Sequence, residues 1–94
     1  GTSLQATNDL KGAVAAYQEA LKRNPKYLRV LNNLAAAYGD LRMYKEAVET
    51  ARRAIALNPA EADAHATLGQ ALQQLGDIPG ARAALTVAAR LDPK

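Results

Sequence analysis

The side chains able to do acid–base, nucleophilic or metal chemistry are few, and their spacing excludes more than it supports. His65 is the single histidine, Ser3 the single serine, and cysteine is absent. A lone imidazole with only Glu61 and Asp63 near it in sequence lacks the further ligands of a zinc site. At helical spacing His65 falls on a packing face, so it reads as a helix–helix contact. Without thiols there is no disulfide framework, thiolate metal site or cysteine nucleophile. The carboxylate pairs Glu46/Glu49 and Glu61/Asp63 would need a pocket that perturbs one member before acid–base catalysis is possible, and both are expected on exposed faces. Arg42, Lys45, Arg52 and Arg53 form a basic cluster. Glu46 and Glu49 interrupt it at i, i+3 and i, i+4 spacing, the pattern of a salt-bridged solvated face. No aromatic platform accompanies the cluster, which disfavours nucleic acid. The glycines are dispersed and form no phosphate-cradling loop. The chain reads as non-enzymatic, with no metal and no cofactor.

The elements that position these groups must be helices. Of 94 residues, 22 are Ala and 13 are Leu, and the four aromatic residues are all Tyr. A core rich in Ala brings backbones close together, which suits packed helices and suits sheets poorly. The net charge is +3, distributed as +1 over residues 1–25, +3 over 26–59 and −1 over 60–94. That is too dilute for the basic stripe of a nucleic-acid binder. No apolar run approaches the roughly 20 residues needed to span a bilayer. The reading is of a soluble protein, with the cytoplasm favoured over the periplasm. No signal-peptide pattern and no initiator Met are present, so a processed chain or an excerpt is expected.

The sequence repeats itself at a fixed period. Pro25, Pro59 and Pro93 are spaced by 34 and 34. Residues 26–59 laid on 60–93 without gaps give identities at Leu34/Leu68, Ala37/Ala71, Leu41/Leu75, Ala47/Ala81, Ala54/Ala88, Leu57/Leu91 and Pro59/Pro93. Extending the register backwards aligns Ala13, Ala20, Asn24 and Pro25 with Ala47, Ala54, Asn58 and Pro59. The coincidences step by three and four, the spacing of one helix face.

Each period reads as two antiparallel helices. They are expected at residues 28–40 and 44–57, then at 62–75 and 78–91. Asn58-Pro59 stops a helix because Pro lacks the donor the next turn requires. Gly76-Asp77 supplies a turn and an N-cap, with Pro79 in the first turn, where its missing N–H is harmless. In the first period only a helix at about 10–23 is complete, and residues 1–7 look like the trailing half of another. Leu34, Leu68, Tyr38, Leu72, Leu57 and Leu91 are assigned to the layers between helices. Tyr17 and Tyr44 read as packing residues, and Tyr27 as partly exposed.

The pattern Leu34-Ala35-x-x-Tyr38…Ala47-x-x-x-Ala51-x-x-Ala54…Pro59 resembles the tetratricopeptide repeat, a helix–turn–helix unit whose length equals the period seen here. Leu68-Gly69-x-x-Leu72…Ala81-x-x-x-Leu85-x-x-Ala88…Pro93 resembles it as well, and Gly1-x-x-Leu4…Ala13-x-x-x-Tyr17-x-x-Ala20…Pro25 fits as a partial copy. The resemblance implies an all-α fold, an α-solenoid of antiparallel helix pairs in a right-handed superhelix. It divides the single domain 1–94 into a partial repeat (1–25) and two full ones (26–59 and 60–93). The slot often filled by Trp holds Leu31 and His65, and the large-aromatic slot holds Ala51 and Leu85, with Tyr17 nearer to type.

In such a solenoid the first helix of each pair lines a concave groove, and the resemblance implies that this groove binds an extended peptide or a helix of a protein partner. The residues assigned to it are Arg29, Asn32, Asn33, Ala36 and Asp40, then Asp63, Ala66, Thr67, Gln70, Gln73 and Gln74. Their amides suit hydrogen bonding to a peptide backbone. A solvated polar face without a ligand is the competing reading. Asn33 occupies a slot like the family's recurring main-chain-clamping asparagine, whereas the next copy holds Thr67. Asp63 and Thr67 stand where a clamp for a terminal carboxylate would place cations, so an acidic C-terminal tail is rejected as ligand.

Two further readings stay open. One is a structural or self-assembly module, associating as a homo-oligomer through uncapped ends, since Ile78, Leu85, Val87 and Leu91 crowd the last helix. The other is a regulatory array excerpted from a larger enzyme such as a glycosyltransferase. Gly1-Thr2-Ser3 reads as native sequence because Gly1 and Leu4 fit the repeat.

Overall fold

The computed structural model describes the backbone of residues 2–92 and the side chains of residues 9–92. Five helices follow one another: α1 (Thr2–Arg23), α2 (Leu28–Asp40), α3 (Tyr44–Leu57), α4 (Ala62–Gln74) and α5 (Ile78–Leu91). Both ends of α2 and of α3 recur one period later in α4 and α5. Each helix packs on the next in sequence, and α2 also lies beside α4. This is an all-α helical repeat stack measuring 34 × 32 × 24 Å.

The turns follow from local chemistry. After α2, the Met43 N–H donates to Tyr38 O (2.8 Å) and the Arg42 N–H to Gly39 O (3.1 Å). After α4, Asp77 donates to Leu72 O (2.9 Å) and Gly76 to Gln73 O (3.1 Å). These paired bonds close both helix ends as Schellman motifs, which place one residue in the left-handed region. Gly76 meets that requirement at φ 91°, whereas Arg42 meets it at φ 64° without the freedom of glycine. Asp77 caps α5 by accepting from the Gly80 N–H, and Pro79 sits in the first turn. At the Asn-Pro stops, Asn24 Oδ1 accepts from the Lys26 N–H and Asn58 Oδ1 from the Ala60 N–H, so each asparagine folds the chain on itself.

The small residues of the repeat are the buried ones. Ala35, Ala47, Ala51 and Ala54 are fully excluded from solvent, and Ala81 and Ala88 nearly so. Around them Leu21, Leu31, Leu34, Tyr38, Val48 and Leu72 fill the core, with Tyr17 and Tyr44 half-buried against it. Tyr27 is 45% exposed, in line with its position after a helix stop.

Two expectations are corrected. Residues 2–23 form one continuous helix, with no separate element before residue 10. Asn8 stands one period before Arg42, in the slot where the later repeats turn, yet the helix runs through it. Residues 2–8 contain only Leu4 and Ala6 as apolar residues. Folding back would bury little, and continuing the helix keeps every backbone bond. Leu57 and Leu91 are not interlayer residues, being 39% and 40% exposed. Each closes its helix, where fewer elements flank it.

Candidate functional site

Between α2 and α4 lies a depression of about 260 Å³. The last two turns of α2 contribute Ala36, Gly39 and Asp40, and α4 contributes Thr67, Gln70, Ala71, Gln73 and Gln74. The two helices run side by side because α3 carries the chain back between them, so equivalent positions of successive periods become neighbours. Six assigned groove residues (Ala36, Asp40, Thr67, Gln70, Gln73 and Gln74) line this one depression. Asp40, Gln70, Gln73 and Gln74 present a carboxylate and three amides to solvent. Ala36, Gly39 and Ala71 keep the floor shallow and let another backbone approach closely.

The other assigned residues do not line it. Arg29 and Asp63 are exposed near the opposite, N-terminal ends of α2 and α4, and Asn33 is exposed on α2. Ala66 is half-buried. Asn32 is also half-buried, with its Oδ1 shielded from solvent and without a hydrogen-bond partner among the described residues. It stands one helical turn before Ala36, on the row that continues to Gly39.

Sequence reasoning assigned Tyr44 to packing alone, but this half-buried ring at the start of α3 also forms part of the depression's wall. It stands one period before Ile78 and opens the second helix of its pair. Nothing in that pattern signals contact with the groove, which arises from the crossing of α3 and α4.

Other depressions mark the surface of the described residues. One of about 600 Å³ lies between α1 and α3, floored by Leu21, Leu34 and Tyr38 and edged by Lys22, Arg52 and Arg53 with Glu46 and Glu49. Gln18 Nε2 donates to Tyr38 Oη there at 2.7 Å. The expected salt-bridged ladder on α3 is corrected. Among the described residues the one ion pair is Lys22–Glu19 at 3.3 Å, highly exposed at both ends. Solvated charges on one helix gain little by pairing, since holding two long side chains together offsets the attraction. Another depression, about 450 Å³, runs along α5 between Gln73, Ile78, Ala81, Arg82, Leu85, Thr86 and Ala89. Its Ile78, Arg82, Leu85 and Ala89 stand one period after Tyr44, Val48, Ala51 and Ile55, which pack inward beneath α4.

His65 is half-buried, and its Nε2 lies 2.9 Å from Pro59 O, tying the ring to the loop before its own helix. Among the described residues no three His, Asp or Glu side chains converge as metal ligands. None of the described helices is long and apolar enough to cross a membrane.

Comparison with known proteins places this geometry in context. The family model described as tetratricopeptide repeat matches residues 28–60, and a second, described as TPR repeat, matches residues 1–41. Human tetratricopeptide repeat protein 28 is 36% identical over 86 residues, covering 92% of this chain. The chain spans only 4% of that protein's length. Among solved structures, the Arabidopsis OM64 TPR domain superposes with a TM-score of 0.90 at 26% identity, over 100% of this chain and 78% of that one. The first TPR domain of human RPAP3 superposes at 0.88 with 22% identity, over 100% and 74%, a likeness of fold.

Proposed function

The chain belongs to the tetratricopeptide repeat family, and on that premise we propose that it docks an extended segment of a protein partner in the groove between α2 and α4. The fold is generally a protein–protein interaction module, and members are typically non-enzymatic scaffolds. We read residues 26–59 and 60–93 as two full repeats and 1–25 as a partial one, together a single interaction domain without catalytic activity of its own.

The observation that carries the reading is the meeting of Ala36 and Asp40 with Thr67, Gln70, Gln73 and Gln74 around one depression. An extended peptide has a donor and an acceptor at nearly every residue. Gln side chains offer both, so three of them around a shallow floor suit main-chain hydrogen bonding with little dependence on sequence. The volume is below the roughly 300–1,000 Å³ of small-molecule pockets, which fits a peptide lying across the surface better than an enclosed ligand.

The test is selection from a displayed library of random dodecapeptides. Wild-type protein should enrich binders, and the double variant Gln70→Ala, Gln74→Ala should lose them while circular dichroism shows unchanged helicity. Gln18→Ala, in the opposite groove, should retain them. Failure to enrich any peptide, or binders indifferent to the double variant, would defeat this reading.

A second reading rests on α5. Leu75, Ile78 and Leu91 are 44%, 48% and 40% exposed, and among the described residues no helix covers the outer side of α5. This supports a self-assembly role through that face. Light scattering over a concentration series decides: a folded monomer at the highest concentration excludes it.

A further inference from the structure

We infer that the α2–α4 groove takes a basic side chain, lysine or arginine, of the docked segment at Asp40. The inference rests on the peptide-docking reading and adds the chemistry of the residue recognised. Three observations converge on it. First, among the described residues Asp40 is the one charged group lining the depression, and it is exposed. Among those residues it forms no ion pair, although Arg42 is two positions away; the left-handed backbone at Arg42 is part of the turn that leads the chain out of α2.

Second, the depression is built from the C-terminal turns of two helices at once. Ala36, Gly39 and Asp40 close α2, and Gln70, Gln73 and Gln74 close α4. Helix C-termini carry partial negative charge and favour cations. At two other helix ends the chain supplies such cations itself: α1 ends with Lys22 and Arg23, and α5 carries Arg90 in its last turn. The last turns of α2, α3 and α4 contain no basic residue, and the depression joins those of α2 and α4. Asp40 adds a full negative charge to an end that already disfavours it, a local conflict that a bound cation relieves.

Third, the walls suit a long basic side chain. Tyr44 offers an aromatic surface for the stem or the charge, and the amides of Gln70, Gln73 and Gln74 accept from an ammonium or guanidinium. A volume of about 260 Å³ accommodates one side chain and not the face of a helix.

The experiment extends the peptide selection. Wild type, Asp40→Asn and the control Asp63→Asn, which alters the acid at the far end of α4, are each used as bait. Lysine or arginine should be enriched at one fixed peptide position by wild type and Asp63→Asn, and not by Asp40→Asn. With a synthetic winner in fluorescence anisotropy, Asp40→Asn should weaken binding about tenfold at low salt, the order expected for losing one partly desolvated charge pair. Replacing the peptide's basic residue by glutamine should weaken binding to wild type and make no further difference on Asp40→Asn. Winners without a basic position, or a lysine-to-glutamine loss equal on both proteins, overturn this inference and leave groove docking standing. Absence of winners, or winners indifferent to Gln70→Ala, Gln74→Ala, overturns both.

Discussion

Leu85 occupies the space that a side chain on Gly69 would need: a Cβ there would stand 2.6 Å from Leu85 Cγ and 3.1 Å from the Ala81 carbonyl. In the preceding pair the same two slots hold Ala35 and Ala51, both fully buried. The α2–α3 crossing divides its volume evenly, and the α4–α5 crossing gives nearly all of it to one partner. Close packing makes the two solutions equivalent only if both positions change together.

Gly69→Ala should therefore destabilise the chain by about 1 kcal/mol, the overpacking outweighing the better helix propensity of Ala. Leu85→Ala alone should leave a gap worth about 1–2 kcal/mol. The double variant should lose less than the sum, with a coupling of about 1 kcal/mol in a urea-denaturation double-mutant cycle. Strict additivity would show that Leu85 moves aside freely.

Arg42→Gly should stabilise the protein by about 0.5–1 kcal/mol, because Arg42 holds a left-handed conformation and relief of that strain exceeds the added freedom of the unfolded chain. Gly76 holds the same conformation in the next repeat without a Cβ. The expected signature is a higher urea midpoint with an unchanged slope.

Asp77→Ala should destabilise by about 0.5–2 kcal/mol, because the Gly80 N–H loses its acceptor at the start of α5. Met43 stands in the equivalent slot before α3 and provides no side-chain cap. Met43→Asp should raise the thermal midpoint, and Met43→Ala should leave it nearly unchanged.

Ala47→Leu should destabilise by about 1–3 kcal/mol, since Ala47 is fully buried where α2 and α3 approach. Leu57→Ala, the same change in size in the opposite direction, should cost less than about 1 kcal/mol because Leu57 is 39% exposed. Thermal melts of both variants check the order.

Much of this molecule was legible in its residues. The repeat period, the Asn-Pro stops, the Asp77 cap and the stepped alanines are local or nearest-neighbour signals, and they located four helices to within a residue along with the small residues at their crossings. Residues on one stripe of one helix could be assigned to a common side because helical geometry is fixed at about 3.6 residues per turn. Which stripes meet across helices was decided only in three dimensions. The crossing of α2, α3 and α4 gathered Asp40, Gln70 and Gln74 around one depression, left Asn33 outside its lining, and brought in Tyr44. The same holds for Leu57 and Leu91, apolar in sequence yet open to solvent because nothing flanks the helix ends they close. It holds for Gly69 and Leu85, whose shared volume belongs to the pair. Periodicity fixes directions around a single axis, and the distances and angles between axes are set by packing among all the side chains that fill the space between them.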